Sequence, residues 1–163
     1  MDKSAEDQKN ESFTTRYCEL IDEEISADSE YFKFENQVRL ALASIGLAAS
    51  TGTRITPIRE ILDMADKLYT NVNDTDSVLS DEYRKKLNHA DDVWLDLKEK
   101  MSAGDVRASH LLAASTHLFL AHASLVSMSQ SKEFGSHITG YSLKYFQKLA
   151  VFTYREAIGH LML

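Results

Sequence analysis

Glutamate and histidine side chains near the end of the chain have a spacing suited to binding a metal ion. Glu156 and His160 are four residues apart, which places two ligands on one side of a helix. His110 and His117 share a direction, whereas His122 is turned about 140° from His117 at ~100° per residue. The Glu-x-x-His repeat of di-iron bundles is absent from the sequence. We therefore expect no metal ion or other cofactor, and we interpret these histidines as hydrogen-bonded polar residues of a core.

A second pattern places a histidine five positions after an arginine. It occurs twice, as Arg84 to His89 and as Arg155 to His160. It resembles the Arg-x4-6-His signature of HEPN-type ribonucleases, which are small all-helical proteins that usually dimerise to complete a site. The resemblance implies that Arg155 would hold the scissile phosphate of single-stranded RNA and that His160 would act as acid and base, without a metal ion. This activity is the alternative function that the sequence leaves open.

The last predicted helix also carries aromatic rings and cations along one arc. They are Tyr141, Lys144, Tyr145, Lys148, Phe152 and Arg155. Such a mixture binds phosphate through its cations and a base through stacking. It equally describes an amphipathic boundary, where the stems of Lys and Arg cover apolar neighbours. We take these six residues as the candidate binding face.

Other catalytic motifs are absent from the sequence. There is no nucleophile elbow, no phosphate-binding loop and no dinucleotide-binding glycine pattern. The single cysteine, Cys18, cannot form an internal disulfide, which favours a reducing compartment, and we expect the protein in the cytoplasm. The formal net charge of −7 opposes general binding of nucleic acid or of an anionic membrane.

The elements that must position these residues are all predicted to be helices. The 44% share of apolar residues is sufficient for one globular domain, which we place at 12–163 after a polar and acidic tail at 1–11 that we expect to be disordered. Capping residues and helical periodicity predict six helices. The first begins after Ser12 and includes Tyr17 and Ile25, and the others span Tyr31 to about Ala49, Thr56 to about Val72, about Ser80 to Ser102, Val106 to Gln130, and about His137 to the C-terminus.

The helix at 106–130 is predicted to be central and enclosed. Leu111, Leu118 and Leu125 form one ridge along it, and Arg107 is its one formal charge. Its length and apolarity also suit a membrane span, but His117, His122 and the lack of a closely flanking basic cluster favour a core helix.

The sequence therefore predicts an all-α, single-domain bundle of five to six helices around this central helix. Because no catalytic constellation stands out, we expect a non-enzymatic binding or regulatory module. We expect it to act through contacts with a protein partner or with a second copy in a homodimer, and not with a membrane.

Overall fold

A short β-hairpin precedes the helices in the computed structural model, which describes residues 13–51, 56–90 and 104–161. Within these ranges there are five α-helices and one 3₁₀ turn, at Gly135–His137. The elements are β1 (Thr15–Cys18), β2 (Glu23–Ser26), α1 (Glu30–Ser50), α2 (Thr56–Asn73), α3 (Asp81–Asn88), α4 (Val106–Ser129) and α5 (Gly140–Leu161). The predicted all-α bundle is thus confirmed, with a small sheet added at its N-terminal side.

The helix α4 lies at the centre of the bundle, as the sequence predicts. It packs against α1 on one side and α5 on another, while α2 packs on both α1 and α5. The ridge formed by Leu111, Leu118 and Leu125 is fully buried, and so are Phe34 of α1 and Phe146 of α5, whose rings meet edge to face at 5.3 Å. These contacts form one continuous hydrophobic core.

Side-chain caps start three of the helices where the sequence predicts them. Ser29 accepts a hydrogen bond from the backbone N–H of Tyr31, Ser80 from that of Tyr83, and Asp105 from that of Ala108. Each cap satisfies a backbone donor that has no partner inside its helix. Gly104 precedes Asp105 with φ 57°, a conformation that favours glycine.

The predicted first helix is wrong, because its residues form the β-hairpin instead. On a helix, Glu19 would lie one turn from Glu23, and these like charges would repel each other. In the hairpin, Arg16 pairs with Ile25 and Cys18 with Glu23 in antiparallel register. Cys18 and Ile25 are buried against the core. The tail at 1–11 and Ser12 lie outside the described residues.

Two further helix boundaries differ from the prediction or lie beyond the described ranges. The last helix begins at Gly140 rather than at His137, since the Thr139 hydroxyl accepts a hydrogen bond from Ser142 N at 3.1 Å and so sets its start. The helix predicted from Ser80 is described as far as Asn88. Its predicted continuation, with Trp94, Leu97 and Met101, lies outside the described residues.

A buried amide ties the connection between α2 and α3 to α5. Asn71 Nδ2 donates to the Ser77 carbonyl at 2.7 Å, and the Ser142 hydroxyl donates to Asn71 Oδ1 at 2.9 Å. Asn71 and Ser142 are both almost completely buried. Because each polar atom in this group has a partner, the amide is accommodated in the core and holds α5 against the 74–80 connection.

Candidate interaction surface

The histidines that the sequence singles out do not assemble into a metal site. His110, His117 and His122 are all half-buried on α4. His117 Nδ1 donates to Gln37 Oε1 of α1 at 2.7 Å, and burial lowers the pKa of His122. Over residues 13–51, 56–90 and 104–161, no group of three or more His, Cys, Asp or Glu side chains is arranged to hold a metal ion.

The pair taken from the HEPN-type resemblance lies on two different sides of α5. Arg155 is exposed, and its Nη1 donates to the backbone carbonyl of His89 at 3.4 Å. His160 is half-buried, with Nε2 3.4 Å from Glu156 Oε1. Residues five apart on a helix point about 140° apart at ~100° per residue. Arg155 and His160 therefore have different partners within the chain, and the ribonuclease alternative stays a prediction.

The residues of the second Arg-x4-His match, Arg84 and His89, make contacts within α3 and between α3 and α5. Arg84 forms an ion pair with Asp81 one turn earlier. His89 is the exposed residue that ends the helix, and its carbonyl receives the hydrogen bond from Arg155. The two matches are thus linked through a backbone atom, and that link holds the end of α3 on α5.

The rings of the candidate binding face are largely taken up by packing. Tyr145 is only 5% exposed, and the Tyr141 hydroxyl accepts a hydrogen bond from Leu79 N at 2.8 Å. Lys144 Nζ lies 5.1 Å from the centre of the Tyr145 ring. Phe152 is half-buried against the core, Lys148 is half-buried, and Arg155 is exposed. The cations of this face remain accessible, and its binding role remains a prediction.

A different surface, which sequence reasoning missed, lies on α1 and α4. Four of its large apolar side chains are exposed: Leu40 by 49%, Leu47 by 51%, Val106 by 63% and Leu120 by 46%. Isolated exposed apolar residues are ordinary, whereas these four recur along two adjacent helices. We call this surface the α1–α4 face and define it by two lines of residues, Lys33, Leu40 and Leu47 on α1, and Val106, Ala113, Leu120 and Ser127 on α4.

The two helices run antiparallel along the whole α1–α4 face. At one end, Arg107 Nε donates to the Thr51 hydroxyl at 3.3 Å, and near the middle His117 meets Gln37. At the other end, both helices line a groove of about 560 Å³. Its lining residues are Glu30, Lys33, Asn36, Gln37, Leu120, Ala123, Ser124 and Ser127.

Charge is excluded from most of the α1–α4 face. From Leu40 to Ser50 and from Ala108 to Gln130 the sequence contains no Asp, Glu, Lys or Arg. Within each line the residues recur every seven positions, which keeps them on one side of a helix and is the spacing of helix–helix seams. The seven-residue spacing is the signal in the sequence that could have revealed this face. The uniform apolarity of α4 instead predicted a helix buried on every side.

By length and composition, α4 is also apolar enough to cross a membrane. The core helix of a protein that does not span a membrane passes the same test. In the described part of the chain α4 packs between α1 and α5, and 44% of its most apolar window is buried there. Among the residues of 13–51, 56–90 and 104–161, the central helix is therefore covered on two sides and open on a third, whereas the sequence predicted a helix enclosed on every side.

Comparison with known proteins gives one family. The model of the family described as a domain of unknown function, DUF1940, matches residues 17–159, which is most of the chain. The chain therefore belongs to the DUF1940 family. No curated protein matches it.

Proposed function

We propose that this member of the DUF1940 family is a non-enzymatic helical module that acts through protein–protein contacts, and that the α1–α4 face is its contact surface. The observation that carries the proposal is the row of half-exposed apolar side chains on two antiparallel helices. Leu40 and Leu47 contribute from α1, and Val106 and Leu120 contribute from α4. A strip that is mostly uncharged, on a chain of net charge −7, is the place where another protein can approach at the lowest electrostatic cost.

The hydrophobic effect favours covering this surface. Full burial of a leucine or valine side chain contributes about 1.5–3 kcal/mol, so covering the exposed half of each contributes about 1 kcal/mol. The uncharged residues around them, such as Ala43, Ala113 and Ala123, let a partner helix approach closely. In this proposal the protein works in the cytoplasm, where Cys18 stays reduced.

Photo-crosslinking at single positions tests the proposal. A benzoylphenylalanine at position 120 in the native host should yield a discrete covalent protein adduct, because Leu120 lies in the middle of the α1–α4 face. Val78 is the matched control, since it is 52% exposed and lies outside this face. No adduct from position 120, or equal adducts from positions 120 and 78, would contradict the proposal.

A further inference from the structure

We infer that the occupant of the α1–α4 face is a second copy of this chain, with α1 of each copy packed on α4 of the other. This inference rests on the proposed function and names its partner. The four helices would then form an antiparallel interface, because α1 and α4 already run antiparallel within one copy. Such a contact is isologous, which means that a residue pair across the interface occurs twice.

The register between the helices determines which residues would meet. Gln37 and His117 lie at one level, as do Thr51 and Arg107. A two-fold axis parallel to the helices leaves the height of each residue along the axis unchanged. It places α1 of one copy opposite α4 of the other. It therefore places Leu40 of one copy over the Ala113 to Leu120 stretch of the other, where small residues leave room for a large side chain.

The alternative two-fold axis, across the helices, is less favourable. It would place α1 on α1 and, with Leu40 near the axis, would set Leu47 of one copy against Lys33 of the other. Lys33 is paired with Glu30 at 3.4 Å, and packing leucine against this exposed ion pair removes its hydration without adding a new partner. With the axis along the helices, Lys33 instead lies level with Ser124 and Ser127, whose hydroxyls can accept its hydrogen bonds. Charge therefore favours packing of α1 on α4.

The size of the face matches a modest dimer interface. The 21 residues of α1 extend over about 32 Å at 1.5 Å per residue. Two helices side by side are about 20 Å wide, so the face offers about 600 Å² per copy, or about 1,200 Å² in total. That area lies at the lower limit for specific interfaces, and we expect a dimer that exchanges subunits freely.

Disulfide trapping tests both the partner and the arrangement. Leu40→Cys and Leu120→Cys are prepared as separate variants, mixed and oxidised, with Cys18 left in place because it is fully buried. Packing of α1 on α4 predicts a covalent dimer in the mixture. Mixed dimers hold roughly half of the chains at any moment, and free subunit exchange lets oxidation trap more than that share. Each variant alone should give little, and Leu120→Cys mixed with Val78→Cys serves as the exposed control.

The outcomes separate the inference from the proposed function. Covalent dimers from Leu40→Cys alone, as abundant as those from the mixture, would overturn the packing of α1 on α4. No covalent dimer, together with a photo-adduct from position 120 that is not twice the mass of the chain, would overturn the second copy while the proposed function stands. If neither method gives a product, both fail. Association of monomers with phosphatidylcholine vesicles through this face would also overturn both.

Discussion

The imidazole Nδ1 of His117 lies 2.7 Å from Oε1 of Gln37, and this contact links the middle of α4 to the middle of α1. Together with the bond from Arg107 to Thr51, it sets the antiparallel register of the two helices. The same register aligns Leu40 and Leu47 with Val106 and Leu120 along one open surface. The central helix of the bundle therefore fills the core on one side and exposes apolar side chains on another.

The buried amide of Asn71 should be costly to remove. In Asn71→Leu, the Ser77 carbonyl loses the amide that donates to it, and the Ser142 hydroxyl loses the acceptor of its proton while still accepting a hydrogen bond from the Thr139 hydroxyl. An unsatisfied buried polar group costs about 1–3 kcal/mol, so we expect a loss of roughly 2–5 kcal/mol in the free energy of unfolding, measured by urea denaturation. Asn88→Leu, at an exposed position that ends α3, is the control. Equal stability of the two variants would contradict the assigned network.

Two tyrosines should make the protein sensitive to alkaline pH. Burial raises the pKa of Tyr31 and of Tyr69 to about 12, above the usual value of 10.0. The unfolded chain gives up these protons first, so their contribution to stability is complete below about pH 10 and is lost as the pH rises toward about 12.

Urea denaturation between about pH 9 and pH 11 measures this loss. The free energy of unfolding should fall less steeply with pH in Tyr31→Phe/Tyr69→Phe than in the unsubstituted protein. Burial also raises the pKa of Cys18, which is present in both proteins and so does not affect the comparison. Parallel pH profiles would rule out the two tyrosines as the source.

His122 gives a prediction on the acidic side. Burial lowers the pKa of His122 below the usual histidine value of 6.5. The unfolded chain therefore takes up the proton more readily, and the stability that the neutral imidazole provides is complete above about pH 6.5 and is lost as the pH falls below it. The decline in stability from about pH 7 to about pH 5 should be smaller in His122→Leu than in the unsubstituted protein. His89→Leu, at an exposed position, is the control, and a profile in His122→Leu as steep as that of the control would refute the assignment.

The capping signals of the sequence predicted local structure well, because a cap is a hydrogen bond between neighbours. Ser29, Ser80 and Asp105 cap helices that begin within about one residue of the starts predicted at Tyr31, about Ser80 and Val106. The hairpin was missed because its stability depends on cross-strand pairing and on burial of Cys18 against other elements, neither of which a helical spacing reveals.

The sequence analysis missed the α1–α4 face for a related reason. Leu118 and Leu120 are the same residue type two positions apart, yet Leu118 is fully buried and Leu120 is 46% exposed. Helical geometry separates them by about 200°, but which side faces outward depends on where α1 and α5 pack. The relative placement of helices is a tertiary property that an evenly apolar sequence does not encode.

The ribonuclease alternative makes a separate, decidable prediction. On our account, the protein does not cleave single-stranded RNA in the absence of metal ions, and Arg155→Ala and His160→Ala leave that result unchanged. The physical reason is that each side chain is engaged elsewhere, since half-buried His160 lies 3.4 Å from Glu156 Oε1 and Arg155 donates to the His89 carbonyl at 3.4 Å. RNA cleavage that is lost in His160→Ala while the melting temperature is nearly unchanged would establish the HEPN-like alternative instead.

Sedimentation equilibrium of the unsubstituted protein, of Leu120→Glu and of Val78→Glu tests the central claim most directly. A carboxylate at position 120 would lose its hydration in the dimer, and Lys33, which lines the same groove, is already paired with Glu30 at 3.4 Å. Position 78 lies outside the α1–α4 face. We predict twice the chain mass of 18.4 kDa for the unsubstituted protein and for Val78→Glu, and the mass of a single chain for Leu120→Glu. A single-chain mass for the unsubstituted protein at every concentration, or a dimer that persists in Leu120→Glu, would contradict the claim.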